Sequence, residues 1–131
     1  MDSDLDSIQQ AREFAVAGHQ AQKEFMRASQ TDVDRICAAM AEAAFNAAER
    51  LGKMASEETG YGVPEHKKLK NILTSKILWE AIKDIPTVGV IRHDAQKKIY
   101  EIAWPMGLVA ALTPSTNPTS TVMFKIMIAV K

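Results

Sequence analysis

One short polar segment carries a side chain suited to stabilising negative charge. Asn117 lies in the loop Thr113–Thr119, between the prolines Pro114 and Pro118. Because the two rings restrict the backbone, the Asn117 amide is expected to be held in place. A fixed amide N–H can stabilise an oxyanion that develops during a reaction. A second interpretation stays open, in which Asn117 only caps the helix that Pro118 begins.

The single cysteine is a tempting nucleophile, but its surroundings argue against that role. Cys37 lies between Ile36 and Met40 on an apolar helical stripe, with no histidine three or four residues away. Such a thiol is expected to be buried and unreactive. The histidines have polar neighbours and are expected at the surface: His19, His66 and His93. This scatter of cysteine and histidine gives no spacing typical of a metal site, so none is expected.

Helical periodicity dominates the first 86 residues. Apolar residues recur at helical spacing over Leu5–Phe25 and again over Val33–Met54. Thr59–Gly62 is expected to end the second pattern, because glycine readily adopts the left-handed conformation found at helix C-termini. The first two elements are therefore predicted to be long helices.

A third helix is predicted to begin at Pro64 and to end before Pro86. Its apolar side, which a core would bury, consists of Leu69, Ile72, Leu73, Ile77, Trp79, Ile82 and Ile85. The basic run His66–Lys70 within this helix is expected to be a solvated face rather than a phosphate site.

The periodicity changes after Pro86. Val88–Ile91 and Lys98–Trp104 have strand character and predict a hairpin. Leu108–Leu112 is continuously apolar, which is typical of a strand buried in a parallel sheet. A loop and an apolar helical pattern follow, and open α/β sheets bind ligands at such loops. The predicted fold class is α/β, with N-terminal helices and a hairpin leading into a first strand–loop–helix.

The composition excludes several classes of protein. The 131 residues contain 16 Lys and Arg and 16 Asp and Glu, so the formal net charge is zero. Nucleic acid is therefore not an expected partner, since phosphate binding needs a basic excess. No run of ~20 apolar residues is present, so a membrane span is not expected. One cysteine cannot form an internal disulfide, which fits the expected cytoplasmic location.

The chain is expected to be the N-terminal piece of a longer protein. The last helical pattern reaches Lys131 without a stop signal, and the apolar strand has no parallel partner later in the sequence. The alternative is a complete small α+β domain with a terminal helix.

One pattern of residues consists of Pro105, Gly107, Pro114 and Thr116–Thr119. It resembles the NAD(P)-dependent aldehyde dehydrogenase superfamily, specifically its CoA-acylating branch. That branch has Thr-Asn-Pro-Thr at this point, whereas other members have a Pro–aromatic–Asn segment. Further segments similar to the branch lie upstream: Glu57–Gly62, Ile82–Asp84 and Thr87–Ile91. The resemblance covers essentially the whole chain in order. Its details look closest to acylating dehydrogenases for four-carbon semialdehydes, sulfoacetaldehyde or acetaldehyde.

The resemblance implies a reaction and a set of site residues. A cysteine thiolate attacks the aldehyde, hydride passes to NAD or NADP, and coenzyme A takes the acyl group from the thioacyl enzyme. Asn117 would stabilise the oxyanion. Four neighbouring residues would line the nicotinamide end of the cofactor site: Thr113, Pro114, Ser115 and Thr116. In the family the catalytic cysteine and the glycine-rich cofactor turn lie beyond Lys131, so this chain alone is expected to be inactive.

The resemblance also divides the chain into parts. Residues 1–86 would be helical, residues 87–104 would form a hairpin arm that helps build a homo-oligomer, and residues 105–131 would start the sheet of a Rossmann-like cofactor-binding domain. The expected partners are a small-molecule aldehyde and further copies of the chain. A rival hypothesis is a non-catalytic helical assembly module that binds a full-length partner.

Overall fold

The computed structural model describes residues 3–131. They group into two compact units. The first contains the described residues up to Ser29 together with Val88–Ala110, and the second contains Gln30–Thr87 and Ala111–Lys131. All of the predicted site residues therefore belong to the second unit.

The first unit consists of one long helix and a β-hairpin. Helix α1 spans Ser3–Phe25 and has Asp4 and Asp6 in its first turn, where the helix dipole favours carboxylates. Strands β1 (Gly89–Asp94) and β2 (Ile99–Ala103) pair antiparallel. The predicted first helix and hairpin are confirmed.

The turn of the hairpin is organised by one carboxylate. Oδ1 of Asp94 accepts hydrogen bonds from the backbone N–H groups of Gln96 at 3.1 Å and Lys97 at 2.9 Å. Asp favours turns because its side chain can bond its own backbone in this way. The loop ends at Lys98, which has a positive φ of 55°.

The second unit is helical in every element. Its helices are α2 (Gln30–Asn46), α3 (Ala48–Thr59), α4 (Pro64–Ile72), α5 (Leu78–Ile82) and α6 (Pro118–Val130). A π-helical turn, Leu73–Ile77, joins α4 to α5. The single helix predicted over Val33–Met54 is thus two helices, α2 and α3, which are separated at Ala47. None of the helices in residues 3–131 combines the length and hydrophobicity needed to cross a bilayer.

Glycine and proline set the junction between α3 and α4. Gly60 has a left-handed φ of 67°, and its N–H donates to the carbonyl of Ser56 at 3.0 Å. Pro64 occupies the first turn of α4, where its missing N–H needs no partner. Both positions agree with the sequence prediction.

Helices α3 and α4 approach closely at Gly52. A Cβ atom at this position would lie 2.7 Å from the backbone nitrogen of Lys68 and 3.2 Å from the carbonyl carbon of Lys67. Only glycine leaves room for this contact between backbones. The buried apolar residues of the second unit include several with short side chains: Val33, Cys37, Ala41, Ala48 and Ala55.

The apolar side predicted for the third helix is only partly buried, since Ile72, Trp79 and Ile82 are half-buried. Leu69 and Leu73 are 62% and 54% exposed. The buried side chains of this segment are polar: Lys67, Asn71 and Ser75. Each makes a hydrogen bond, which offsets the loss of hydration on burial.

The predicted strand Leu108–Leu112 does not form. Residues 104–114 contain neither helix nor strand, and Leu112 is 87% exposed. A strand needs a neighbour to satisfy its backbone groups, and the described residues contain one sheet, the two-stranded hairpin. The helix predicted after the loop is confirmed, since α6 begins at Pro118.

The end of α6 is held to the rest of the second unit by a lysine. Nζ of Lys131 donates to Oδ1 of Asp34 on α2 at 2.6 Å and to the carbonyl of Lys83 at 3.2 Å. The Lys131 side chain is only 5% exposed. Its hydrogen bond holds the pKa of the Asp34 carboxyl below the usual range.

Candidate functional site

Asn117 lies at the junction between the loop and α6. Its backbone has φ −141° and ψ 61°, outside the helix, and its carbonyl accepts the N–H of Thr121 at 3.2 Å. The Asn117 side chain is half-buried. The backbone therefore occupies the N-cap position, as predicted from Asn117 and Pro118.

The side chain of Asn117 does not cap the helix. Its Oδ1 atom instead accepts a hydrogen bond from Nζ of Lys70, on α4, at 2.9 Å. A capping Asn would direct that oxygen to a backbone N–H of the first helical turn. The interpretation that Asn117 serves only as a helix cap thus lacks the bond that it requires.

Lys67 anchors the loop from α4. Its side chain is buried, with the residue only 4% exposed, and Nζ donates to the carbonyl oxygen of Thr116. Within residues 3–131, no carboxylate lies within ion-pair distance of this ammonium. The prediction that the basic run His66–Lys70 is a solvated face is therefore wrong at Lys67, which is packed against the candidate loop.

Asn71 holds the first turn of α6 to the same helix. It is fully buried, its Nδ2 donates to the carbonyl of Ala48 at 2.9 Å, and its Oδ1 accepts from the Thr119 hydroxyl at 2.8 Å. The amide thus bridges α3 and α6. Both of its ends are used, which makes its burial tolerable.

One face of α4 therefore contacts the junction at three successive points. Lys67, Lys70 and Asn71 have the i, i+3, i+4 spacing that places side chains on one helix face. Their contacts are the Thr116 carbonyl, the Asn117 amide and the Thr119 hydroxyl. The spacing was available in the sequence, but nothing in the sequence indicated that this face meets the loop.

The four residues predicted to line the cofactor site form an exposed stretch before α6: Thr113, Pro114, Ser115 and Thr116. Nζ of Lys125 donates to the carbonyl of Leu112 at 2.5 Å, so α6 also ties the start of this stretch. Three of the four residues have hydroxyl groups. The stretch is thus accessible and polar.

Cys37 is fully buried in the core of the second unit. Burial raises the pKa of its thiol, so less of the nucleophilic thiolate is present at neutral pH. The prediction of a buried thiol is confirmed. His19, His66 and His93 are exposed, as predicted, and the His93 ring stacks on Tyr100 at a centroid distance of 4.1 Å.

A groove of about 320 Å³ lies elsewhere in the second unit, beside α2. Phe45, Lys76 and Trp79 line part of it, and the Lys76 ammonium lies 4.8 Å from the centre of the Phe45 ring. None of the predicted site residues borders this groove.

No protein-family model matches the chain. Among curated proteins, the bifunctional aldehyde-alcohol dehydrogenase AdhE of Escherichia coli K12 is 41% identical over 111 residues, 85% of this chain and 12% of that protein. The acylating sulfoacetaldehyde dehydrogenase of Cupriavidus necator is 45% identical over 114 residues, 86% of this chain and 23% of that protein. Each relative is therefore much longer than this chain.

The similarity extends to three dimensions. The crystal structure of an acetylating aldehyde dehydrogenase from Geobacillus thermoglucosidasius is 48% identical and matches with a TM-score of 0.95. The match covers 98% of this chain and 28% of that chain. It confirms the predicted fold class, part of an α/β domain, although Leu108–Leu112 forms no strand here. The sequence and structural similarities together confirm the resemblance: the homologues of this chain are acylating aldehyde dehydrogenases, and it corresponds to less than a third of their length.

Proposed function

We propose that this chain is the N-terminal part of an enzyme that oxidises an aldehyde to an acyl-CoA with NAD or NADP. The observation that supports this most is the position of the Asn117 side-chain amide and the hydrogen bond that holds it. Its amide stands at the start of α6 within Thr116–Thr119, is held by Lys70 and makes no capping bond. In a member of the acylating branch, such an amide suits the stabilisation of an oxyanion.

The proposed reaction passes through a thioacyl enzyme whose cysteine lies outside this chain. Attack of that thiolate on the aldehyde moves negative charge onto the carbonyl oxygen. Asn117 would donate a hydrogen bond from Nδ2 to that oxygen, and the bond would strengthen as the charge develops. Cys37 takes no part, because it is buried among apolar side chains. Coenzyme A then accepts the acyl group.

The dinucleotide would accept the hydride, and this chain would contact only its nicotinamide end. Thr113, Pro114, Ser115 and Thr116 are proposed to line that end, since they are exposed and three of them offer hydroxyl groups. Lys67 fixes the backbone of the stretch through the Thr116 carbonyl. The remaining contacts to the dinucleotide fall to residues outside this chain.

The hairpin is proposed to be an arm of a homo-oligomer. Val90 and Ile102 face each other across the two strands and are 57% and 61% exposed, and Trp104 beside them is 76% exposed. Apolar side chains in such number on one exposed hairpin are typical of an interface. The enzyme is proposed to be cytoplasmic and to act on a small aldehyde.

The test uses the complete enzyme that contains this chain. It is supplied with short aldehydes, NAD or NADP, and coenzyme A, while reduced dinucleotide and acyl-CoA are measured. We expect both products to form in equal amounts over many turnovers, and this continued turnover only when coenzyme A is present. A folded complete enzyme that forms no acyl-CoA from any short aldehyde would overturn the proposal.

The 131-residue chain alone provides a control. It contains one cysteine, Cys37, and this thiol is buried. We therefore expect no coenzyme A-dependent turnover from it above background. Turnover by the pure chain would show that the nucleophile lies within it.

A further inference from the structure

We propose that Lys70 is a positioning residue that orients the Asn117 amide, so that Nδ2 rather than Oδ1 faces the reacting carbonyl. The proposal rests on the proposed function, in which Asn117 stabilises the oxyanion. It adds a role for a residue on α4, a helix that does not contain the loop. The 2.9 Å bond between Lys70 and Asn117 is the observation from which it starts.

The chemistry of the two groups fixes the orientation. An ammonium can only donate hydrogen bonds, whereas a side-chain amide has one acceptor atom and one donor atom on opposite sides. The atom of Asn117 that faces Lys70 must therefore be Oδ1. Nδ2 is then directed away from Lys70, with its two N–H groups available for another acceptor. The reverse orientation would place donor against donor.

The backbone on either side of Asn117 is already held by the same helix. Lys67 binds the Thr116 carbonyl, and Asn71 binds the Thr119 hydroxyl. Asn71 is fully buried and bonded at both ends, so it cannot shift without losing a bond. With the backbone fixed, the rotation of the Asn117 side chain is the remaining freedom, and Lys70 restricts it.

The positive charge of Lys70 strengthens the same effect. A hydrogen bond from an ammonium to Oδ1 polarises the amide, which makes its N–H groups better donors. The bond itself is the stronger, charge-assisted type. Lys70 would thus act on the oxyanion through Asn117 and not by contact.

The exposure of Lys70 makes a clean substitution possible. Its side chain lies at the surface of α4, so replacing it disturbs no core packing. Lys70→Met keeps the length and the helix propensity but removes the charge and the donor. Lys70→Arg keeps both. Lys68→Met is the matched control, because Lys68 lies on the same helix and pairs with Glu49 at 2.5 Å rather than with the loop.

The variants are measured in the complete enzyme, with melting temperatures as a check on folding. We expect Lys70→Met to lower kcat up to about fivefold, the upper limit for a charged hydrogen bond at an exposed site. The KM values for dinucleotide and aldehyde should change less than twofold. Lys70→Arg should recover most of kcat, and Lys68→Met should behave as the unmodified enzyme.

A double-mutant cycle with Asn117→Ala identifies the route of the effect. If Lys70 acts through Asn117, adding Lys70→Met to Asn117→Ala should lower kcat by less than twofold further. A further loss as large as that of Lys70→Met alone would overturn the proposal, because Lys70 would then act independently. The proposal would also be overturned if Asn117→Ala strongly lowered kcat while Lys70→Met left kcat unchanged. An unmodified enzyme with no coenzyme A-dependent activity would instead overturn the proposed function itself, and the role of Lys70 with it.

Discussion

Replacement of Asn117 separates the catalytic interpretation of this residue from the structural one. In the complete enzyme, Asn117→Ala removes the Nδ2 donor that is proposed to face the oxyanion. Loss of one such donor typically lowers kcat by about 10²–10³, or about 3–4 kcal/mol of transition-state stabilisation. The KM for the dinucleotide should change little, because the donor acts on charge that develops during the reaction.

The structure indicates that the same substitution should barely affect stability. The Asn117 side chain makes no capping bond, and its partner Lys70 is exposed to solvent. A charged hydrogen bond at such a site contributes less than about 1 kcal/mol to the free energy of unfolding. Asn117→Ala is therefore expected to melt within a few degrees of the unmodified enzyme.

Asn117→Asp provides the sharper comparison. A carboxylate caps a helix about as well as an amide, and here it would also pair with Lys70, so stability should be kept. It has no donor, however, and would present negative charge to the oxyanion, so kcat should fall at least as far as in Asn117→Ala. Steady-state rates and thermal melts of both variants decide the matter. A near-normal kcat for Asn117→Asp, with earlier melting of Asn117→Ala, would refute the catalytic assignment.

Three further predictions concern the second unit. Gly52→Ala should lower the free energy of unfolding by about 1–3 kcal/mol in chemical denaturation, because its Cβ would lie 2.7 Å from the Lys68 backbone nitrogen; an unchanged midpoint would contradict this contact. Cys37→Ala should cost about 1 kcal/mol of stability and leave kcat unchanged, since only packing is lost; loss of thioacyl-enzyme formation in a folded variant would make Cys37 the nucleophile. Because pairing with Lys131 lowers the pKa of Asp34, this pair stabilises the fold above the unfolded pKa, and the contribution is lost as the pH falls through the lowered value. Asp34→Asn should therefore lower the melting temperature more at about pH 7 than at about pH 3, and equal losses at both values would be inconsistent with the pair.

The sequence predicted those features that depend on local chemistry. Gly60 and Pro64 bound their helices as expected, because backbone conformation at glycine and proline depends mainly on the residue itself. Alternation predicted the hairpin, and Pro118 predicted the start of α6. The burial of the Cys37 thiol was also predictable, because its neighbours on the same side of the helix are apolar.

Features that depend on distant partners were not predictable in this way. The apolar run Leu108–Leu112 resembles a buried strand, but whether a strand forms depends on a neighbouring strand and not on its own residues. The burial of Lys67 and Asn71 depends on the contact at Gly52, which brings α4 against α3 by its polar face. No periodicity rule identifies that face, because such rules assume that apolar side chains turn inward. The interaction of Lys70 with the site was missed for the same reason.

The polar inner face of α4 also bears on how accurately the helix is seated. Two apolar surfaces can slide over one another with little change in energy, because an apolar atom that leaves one neighbour meets another of the same kind. Asn71 allows no such drift, since it is fully buried and its hydrogen bonds to the Ala48 carbonyl and the Thr119 hydroxyl exist in only one alignment. A shift of α4 by one residue would separate the buried Asn71 amide from both of these partners. These hydrogen bonds thus hold α4 in a single register against α3 and α6. In return, the contact has less hydrophobic stabilisation than an apolar face would provide.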